Sequence, residues 1–303
     1  MDGPIVIVGS GAMACLFGAR LSPYVDVIML AGWPPAVEAL QSAGIELDLD
    51  GSATRFQVKV ATEPDEIPSA SVALILVKTW QTERAAGQVA EFLAEDGVAL
   101  TLQNGLGNLE KLQAALGPAR AALGVTTYGA TLLAPGRVRP AGGGNIQLGR
   151  HPRVLPLVDI FTMAELEVRQ VDDVTGLAWG KLAVNAGINP LTALLRVPNG
   201  QVADQPDARR ILTHAVTEVS EVAHAAGIEL PFADPVAATL AVARRTRDNR
   251  SSMLQDLDRG APTEIDAISG AVVAKAEELG RSAPVNETLW RLVRSVVHQG
   301  DRQ

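Results

Sequence analysis

The chain reads as an α/β protein in two parts, a doubly wound, mostly parallel sheet followed by an all-helical half. Three observations lead there. Short uncharged runs of Val, Leu and Ile alternate with helical stretches through the first part of the chain, as strands buried on both faces require. A glycine-rich turn follows directly on the first of those runs. From about Asp173 onward only helical patterns remain.

The expected strands are Ile5–Val8, Val25–Leu30, Val72–Val77, Val98–Leu102 and Ala121–Val125, uncharged but for Asp26. Helices are expected between them at Ala12–Leu21, Thr82–Leu93 and Asn108–Leu116. Ile45–Leu49 and Phe56–Val60 read as a hairpin joined through the turn Asp50-Gly51. Gly142-Gly143-Gly144, with weak strands around it, closes this half as a loop-rich edge. Thr175–Leu195, Asp207–Gly227, Asp234–Ser251, Glu264–Leu279 and Glu287–Val297 read as helices. The expected domains are therefore residues 1–172 and 173–303.

A net charge of −8 argues against nucleic acid as the main partner. No run approaches the ~18 apolar residues of a membrane span, and no basic leader precedes the apolar start, so a soluble cytoplasmic protein is expected. The single cysteine, Cys15, suits a reducing compartment; its neighbours Ala14, Leu16 and Phe17 make it a buried structural thiol rather than a nucleophile. His151, His214, His224 and His298 show no metal-ligand spacing, so no metal is assigned. The helical half offers a surface for a homodimer.

Gly9-Ser10-Gly11-Ala12-Met13-Ala14 fits the dinucleotide fingerprint G-x-G-x-x-G/A. The first glycine makes the turn, the second lets backbone approach a pyrophosphate, and the helix beginning there supplies amides and a positive dipole. This points to a Rossmann-like domain. NAD-selective proteins tend to carry Asp or Glu after the second strand and NADP-selective ones an Arg nearby. Here Ala31-Gly32 offers neither, and Trp33 either stacks on adenine or packs locally. Lys78 and Asn104-Gly105 come after two further strands, where open α/β sheets bind ligands. Taken singly, each reads equally as a strand end or a turn.

The segment Trp179 to Leu194 is almost wholly apolar but carries Lys181, Asn185 and Asn189 four residues apart. On a helix the three fall within an arc of about 80°, climbing in steps of about 6 Å, with Thr192 inside the arc. Lys181 is the only charge between Trp179 and Leu195, unlike the mixed charges of an ordinary solvated face. Buried lysine and asparagine need polar partners, so the stripe reads as a wall facing a ligand. Pro190 removes a helix hydrogen bond beside Asn189 and implies a kink. Ser252-Met253-Leu254-Gln255 and Thr263 with Asp266 both read as capping boxes, which would make Glu264 a first-turn acid.

Together these pieces resemble the ketopantoate reductase family over the whole chain in order. The matching segments are Gly9-Ser10-Gly11, Val77-Lys78-Thr79-Trp80-Gln81, Leu102-Gln103-Asn104-Gly105-Leu106-Gly107, and Trp179 to Leu194 with Asn189-Pro190-Leu191-Thr192-Ala193. Pro198-Asn199-Gly200, Ser251-Ser252-Met253-Leu254-Gln255-Asp256 and Thr263-Glu264-Ile265-Asp266 complete the set. The resemblance implies NADPH-dependent reduction of ketopantoate to pantoate, towards pantothenate and coenzyme A. It implies Lys181 as general acid and Glu264 as a catalytic and substrate-supporting carboxylate. Asn185, Asn189, Asn199 and Ser252 would hold substrate; Lys78, Asn104 and Ala130 would line the cofactor with the Gly9–Ala14 loop, and Asn104 would also border the substrate. Many members carry an arginine where this chain has Ala31-Gly32, so NAD stays open beside NADP.

The chemistry is consistent. Hydride delivery to a 2-keto acid makes an alkoxide, which a lysine ammonium can stabilise and protonate. Burial should lower the lysine's pKa and a neighbouring carboxylate should oppose that shift. Asparagines and a serine add hydrogen bonds without charge. A reductase of another 2-keto acid or imine, and a non-catalytic nucleotide-binding regulator, are the rival readings. An acid placed at Lys181 speaks against the regulator.

Overall fold

A computed structural model describes residues 3–49 and 52–300, with side chains to residue 296. The Asp50-Gly51 turn lies outside the described residues. The chain separates into two compact units. One comprises residues up to Gln103 together with Asn108–Val174, the other Asn104–Gly107 together with Thr175 onward.

The first unit runs β1 (Ile5–Val8), α1 (Ala12–Leu21), β2 (Val27–Leu30), α2 (Pro34–Ala43), β3 (Ile45–Leu49), β4 (Ser52–Phe56), β5 (Lys59–Ala61), β6 (Ala70–Ile75), α3 (Thr82–Phe92) and β7 (Leu93–Thr101). It continues with α4 (Asn108–Leu116), β8 (Ala121–Thr126), β9 (Ala130–Ala134), β10 (Arg137–Pro140), β11 (Ile146–Gly149), α5 (Leu155–Met163) and β12 (Val168–Val171). Eight strands form one sheet in the order β12-β11-β8-β7-β6-β1-β2-β5. All neighbours are parallel except β11 against β8.

Successive residues of β1 point to opposite faces and both faces are buried. Ile5 and Ile7 join the core that holds Phe17, Ile45 and Phe161, whereas Val6 and Val8 join that of Ala85, Val89 and Leu112. The Phe17 and Phe161 rings meet edge to face with centroids 5.9 Å apart. Double burial is why these strands are uncharged runs rather than alternating ones.

The strand register aligns the loops at one end of this sheet. Thr101 pairs with Ile75, Ile75 with Val8, Val8 with Leu30 and Leu30 with Ala61. Five strands thus end on one line, and the residues after each emerge side by side. Strand order reverses between β6 and β1, the switch point at which open sheets of this kind bind ligands.

A second sheet, β4-β3-β10-β9, differs from the expected hairpin. Its second strand begins at Ser52, and Lys59–Ala61 leaves it to pair with β2. The exposed residues Ser52–Arg55 carry no apolar period to reveal the strand. Asp48, buried on β3, receives hydrogen bonds from Arg137 and Arg139. Those bonds, Arg139's first, hold its carboxyl below the usual carboxylate range. The loop-rich edge around Gly142-Gly143-Gly144 gives way to a fully buried β11.

The second unit holds α6 (Val174–Leu195), α7 (Asn199–Asp204), α8 (Pro206–Ala225), α9 (Pro235–Arg245), α10 (Ser252–Asp258), a π-helical segment Asp266–Gly270, α11 (Ala271–Glu278) and α12 (Pro284–Gly300). The first residue of α6 belongs to the other unit. The expected helix Asp234–Ser251 stops at Arg245, and α7 and α10 are short additions. No helix among the described residues is long and apolar enough to cross a membrane. Gly187 lets α6 approach α8 and α9, since a Cβ there would meet Val216 Cγ2 at 2.7 Å and Thr239 Cγ2 at 3.1 Å.

Glu218 on α8 fixes the start of α12. Its carboxylate accepts from the backbone N–H of Val285 at 2.8 Å and of Asn286 at 2.9 Å, and from Asn286 Nδ2 at 2.9 Å. Removing it leaves first-turn donors of α12 unpaired. Glu218→Ala is therefore expected to cost about 2 kcal/mol and lower Tm by roughly 5 °C in thermal unfolding, with Glu218→Gln losing less because it keeps an acceptor. An unchanged Tm in the alanine variant would refute this role.

Candidate active site and dinucleotide site

In the first unit, the loop after β1 has the shape its sequence suggests. Gly9 sits at φ 127°, a region that disfavours side chains, and a Cβ there would press on the Leu76–Val77 backbone at 3.2 Å. A Cβ on Gly11 would meet nothing within 4 Å, so the space above it is open. Gly11 is the N-cap of α1, no side chain caps that helix, and its first turn holds no acid. The first amides of α1 and its dipole are thus left for an anion, which fits a pyrophosphate. Ser10 is buried and its carbonyl accepts from the Cys15 thiol at 3.6 Å. Burial pushes that thiol up to about 12, as an unreactive structural cysteine requires.

Lys78 emerges after β6, one strand over, and is half-buried. A network that the sequence reading did not single out secures the loop carrying it. Gln103 Nε2 donates to the Val77 carbonyl at 2.8 Å and to Thr82 Oγ1 at 2.9 Å. Thr82 in turn donates to Asn108 Oδ1, and Thr101 to Gln103 Oε1, both at 2.9 Å. A glutamine just beyond a buried strand was the available signal. Ala130 opens β9 and is partly buried against the core of this unit.

The second unit gathers the other group of residues. The helix α6 runs unbroken through Pro190. Lys181 is partly buried on it, and burial pushes its pKa down to about 8 while the charge of Glu264 works the other way. The carboxylate of Glu264, 5% exposed, accepts from Asn104 Nδ2 at 3.2 Å. Asn104 stays there because the Leu106 N–H donates to the Ala267 carbonyl at 3.0 Å. Gly105, at φ 75°, lies so close that a Cβ would come within 2.5 Å of that same oxygen.

Asn185 is partly buried and Asn189 is buried, and neither side chain has a hydrogen-bond partner among the described residues. Thr192, by contrast, belongs to the scaffold. It is fully buried, its hydroxyl pairing with Ser251 Oγ at 2.7 Å and lying within hydrogen-bond reach of the Ile188 and Asn189 carbonyls at 3.0 Å. Ser251, not Ser252, caps α10, accepting from the Leu254 N–H at 3.1 Å. The capping-box reading of Ser252 is thereby corrected: Ser252 is the first helical residue and is exposed. Asn199 donates from Nδ2 to Thr246 Oγ1 at 2.9 Å, while its buried Oδ1 has no partner among the described residues.

The second capping box also fails. Thr263 Oγ1 is buried without a partner among the described residues, and Asp266 accepts instead from Trp290 Nε1 at 2.6 Å. The turn after Glu264 is π-helical, marked by the Gly270 N–H reaching back to the Ile265 carbonyl at 3.0 Å. Such wide turns occur often at functional sites. Here it brings Ala267 against Gly105 and so sets Asn104 on Glu264.

Comparison with known proteins adds a family. The family model described as "Ketopantoate reductase PanE/ApbA" matches residues 5–153, and "Ketopantoate reductase PanE/ApbA C terminal" matches residues 173–297. A 2-dehydropantoate 2-reductase of Archaeoglobus fulgidus is 37% identical over 96% of this chain and 97% of its own length. The chain belongs to the ketopantoate reductase family. A crystal structure of a PanE/ApbA family ketopantoate reductase from Ralstonia eutropha superimposes with a TM-score of 0.91 at 30% identity, covering 98% of this chain and 99% of that one. The ternary structure of a D-mandelate dehydrogenase with NADH and anilino(oxo)acetate shares the fold, with a TM-score of 0.91 at 24% identity and coverage of 98% and 99%.

Lys181 and Glu264 are an ionisable pair within the helical unit, the charge of one acting on the other. Because the folded pKa of Lys181 lies below its ordinary value of 10.5, the unfolded chain binds the extra proton between about pH 8 and 10.5. The burial cost is therefore full at neutral pH and relieved as pH rises through that window. Measured against Lys181→Met, the wild type should gain stability in denaturant melts from pH 8 to 10.5. Parallel curves for the two proteins would contradict a desolvated lysine.

Proposed function

We propose that this protein reduces 2-dehydropantoate (ketopantoate) to pantoate with NADPH, a step towards pantothenate and coenzyme A. The observation that carries the reading is the desolvated Lys181 beside Glu264, on a helix whose same face presents the unengaged amides of Asn185 and Asn189. Family membership supports the reaction class, and the name of the Archaeoglobus fulgidus relative supports the keto acid. The Gly9–Gly11 loop, the open start of α1, Lys78 and Ala130 are the residues that would hold the dinucleotide. A bound reduced nicotinamide supplies the hydride.

The remaining chemistry falls to side chains. Lys181, charged below about pH 8, offers its ammonium to the ketone oxygen and gives up a proton as negative charge develops there. Glu264 favours the charged form of that lysine and can accept a hydrogen bond from a substrate hydroxyl. Asn104, bound to Glu264 through Nδ2, positions the carboxylate. Asn185, Asn189, Asn199 and Ser252 are assigned to the substrate carboxylate and hydroxyl, where neutral donors and acceptors add orientation without further charge.

The test is loss of reduced-nicotinamide absorbance with ketopantoate. Wild type should turn over, and Lys181→Ala should lose about 10²–10⁴-fold in kcat. The wild-type rate should fall above about pH 8, and Glu264→Gln should move that break to lower pH by removing the charge that holds the lysine protonated. Absence of turnover with either NADPH or NADH would sink the reductase reading, and undiminished Lys181→Ala activity would sink the assignment of the acid.

A further inference from the structure

A pocket of about 750 Å³ opens in the first unit beside Ala31 and Gly32, and Glu38, Thr62, Glu63 and Arg84 also line it. Its position comes from the register. Ala31-Gly32 and Thr62-Glu63 leave β2 and β5 at the paired residues Leu30 and Ala61, one strand over from the glycine loop. A dinucleotide whose pyrophosphate sits at the start of α1 extends its adenosine over the end of the second strand, where the ribose 2′ position is read. In this chain the backbone after that strand offers no charge, and a Cβ on Gly32 would meet nothing within 4 Å.

Arg84, in the first turn of α3, fills the gap from a different element. It is the one cation among the lining residues, and its side chain is exposed. It has no hydrogen bond or ion pair among the described residues, although Glu38 and Glu63 line the same pocket. A guanidinium unengaged by nearby carboxylates keeps its planar fork of donors for a ligand, and that fork matches phosphate. Two carboxylates oppose an added dianion and can equally accept from an unphosphorylated ribose diol.

We propose that Arg84 is the residue that recognises the 2′-phosphate of NADPH, in place of an arginine after the second strand. Glu38 and Glu63 moderate that preference and keep NADH within reach. This rests on the dinucleotide reading above. It gives the two cofactors different dependences: NADPH affinity depends on Arg84 and NADH affinity does not.

The experiment reads binding without turnover. Adenosine 2′,5′-bisphosphate and 5′-AMP are titrated calorimetrically into wild type, Arg84→Ala and Glu63→Gln, and KM for NADPH and NADH is measured on the same proteins. Wild type should bind the bisphosphate more tightly than 5′-AMP. Arg84→Ala should weaken the bisphosphate about tenfold or more and raise KM for NADPH alike, with 5′-AMP and NADH unmoved. Glu63→Gln should tighten the bisphosphate. Equal effects of Arg84→Ala on both nucleotides, no effect on either, or no wild-type preference for the bisphosphate would overturn the assignment. Selective bisphosphate binding through Arg84 in a protein that reduces no keto acid would support it while sinking the reductase reading, so the two failures are distinct.

Discussion

Parallel strands that pair residue for residue must finish together, and in this protein that constraint arranges one whole end of the first unit. Thr101, Ile75, Val8, Leu30 and Ala61 stand in line across five strands. The loop residues beyond them are then fixed in order across the sheet: Gln103, Lys78, the Gly9–Gly11 loop, Ala31-Gly32 and Glu63. No side chain has to reach far, because the backbone register has already brought the loops together. The register in turn depends on burial of both faces, since a one-residue slip would exchange Ile5 and Ile7 for Val6 and Val8 between two differently packed cores.

The helical unit sets a lysine in an apolar helix under two opposing influences. Desolvation alone would favour the neutral amine; Glu264 restores part of the preference for charge. The carboxylate is itself held by Asn104, Asn104 by the close approach of Gly105 to Ala267, and Ala267 by a π-helical turn that an ordinary α-turn would not reproduce. Thr192 and Ser251 do similar work at the far end of the stripe, tying α6 to the first turn of α10 and leaving Ser252 outside the cap.

Much of this was legible in the sequence wherever one physical signal dominated. Doubly buried strands such as Ile5–Val8 announce themselves as uncharged runs, and α1 coincides with its expected span. Lys181, Asn185 and Asn189 share a face because helical period is insensitive to what surrounds it. Legibility failed where two signals competed or none existed. Ser52–Phe56 is an exposed strand with no alternation to read, and the two adjacent serines 251 and 252 offer the same capping chemistry one residue apart. The π-turn after Glu264 carries no local pattern distinct from an α-helical start. Arg84 was invisible because its meaning comes from three elements far apart in the chain that share one pocket.

Asn104–Gly107 has a consequence of another kind. These four residues are encoded in the middle of the sheet unit yet pack with the helices. The helical unit is consequently not a self-contained cassette. A ribosome must have delivered the N-terminal half before the carboxylate near Lys181 can find its amide partner. Splitting or shuffling the gene at the apparent boundary would hand the helical module on without one of its own parts. The two halves of this architecture therefore have to be inherited together.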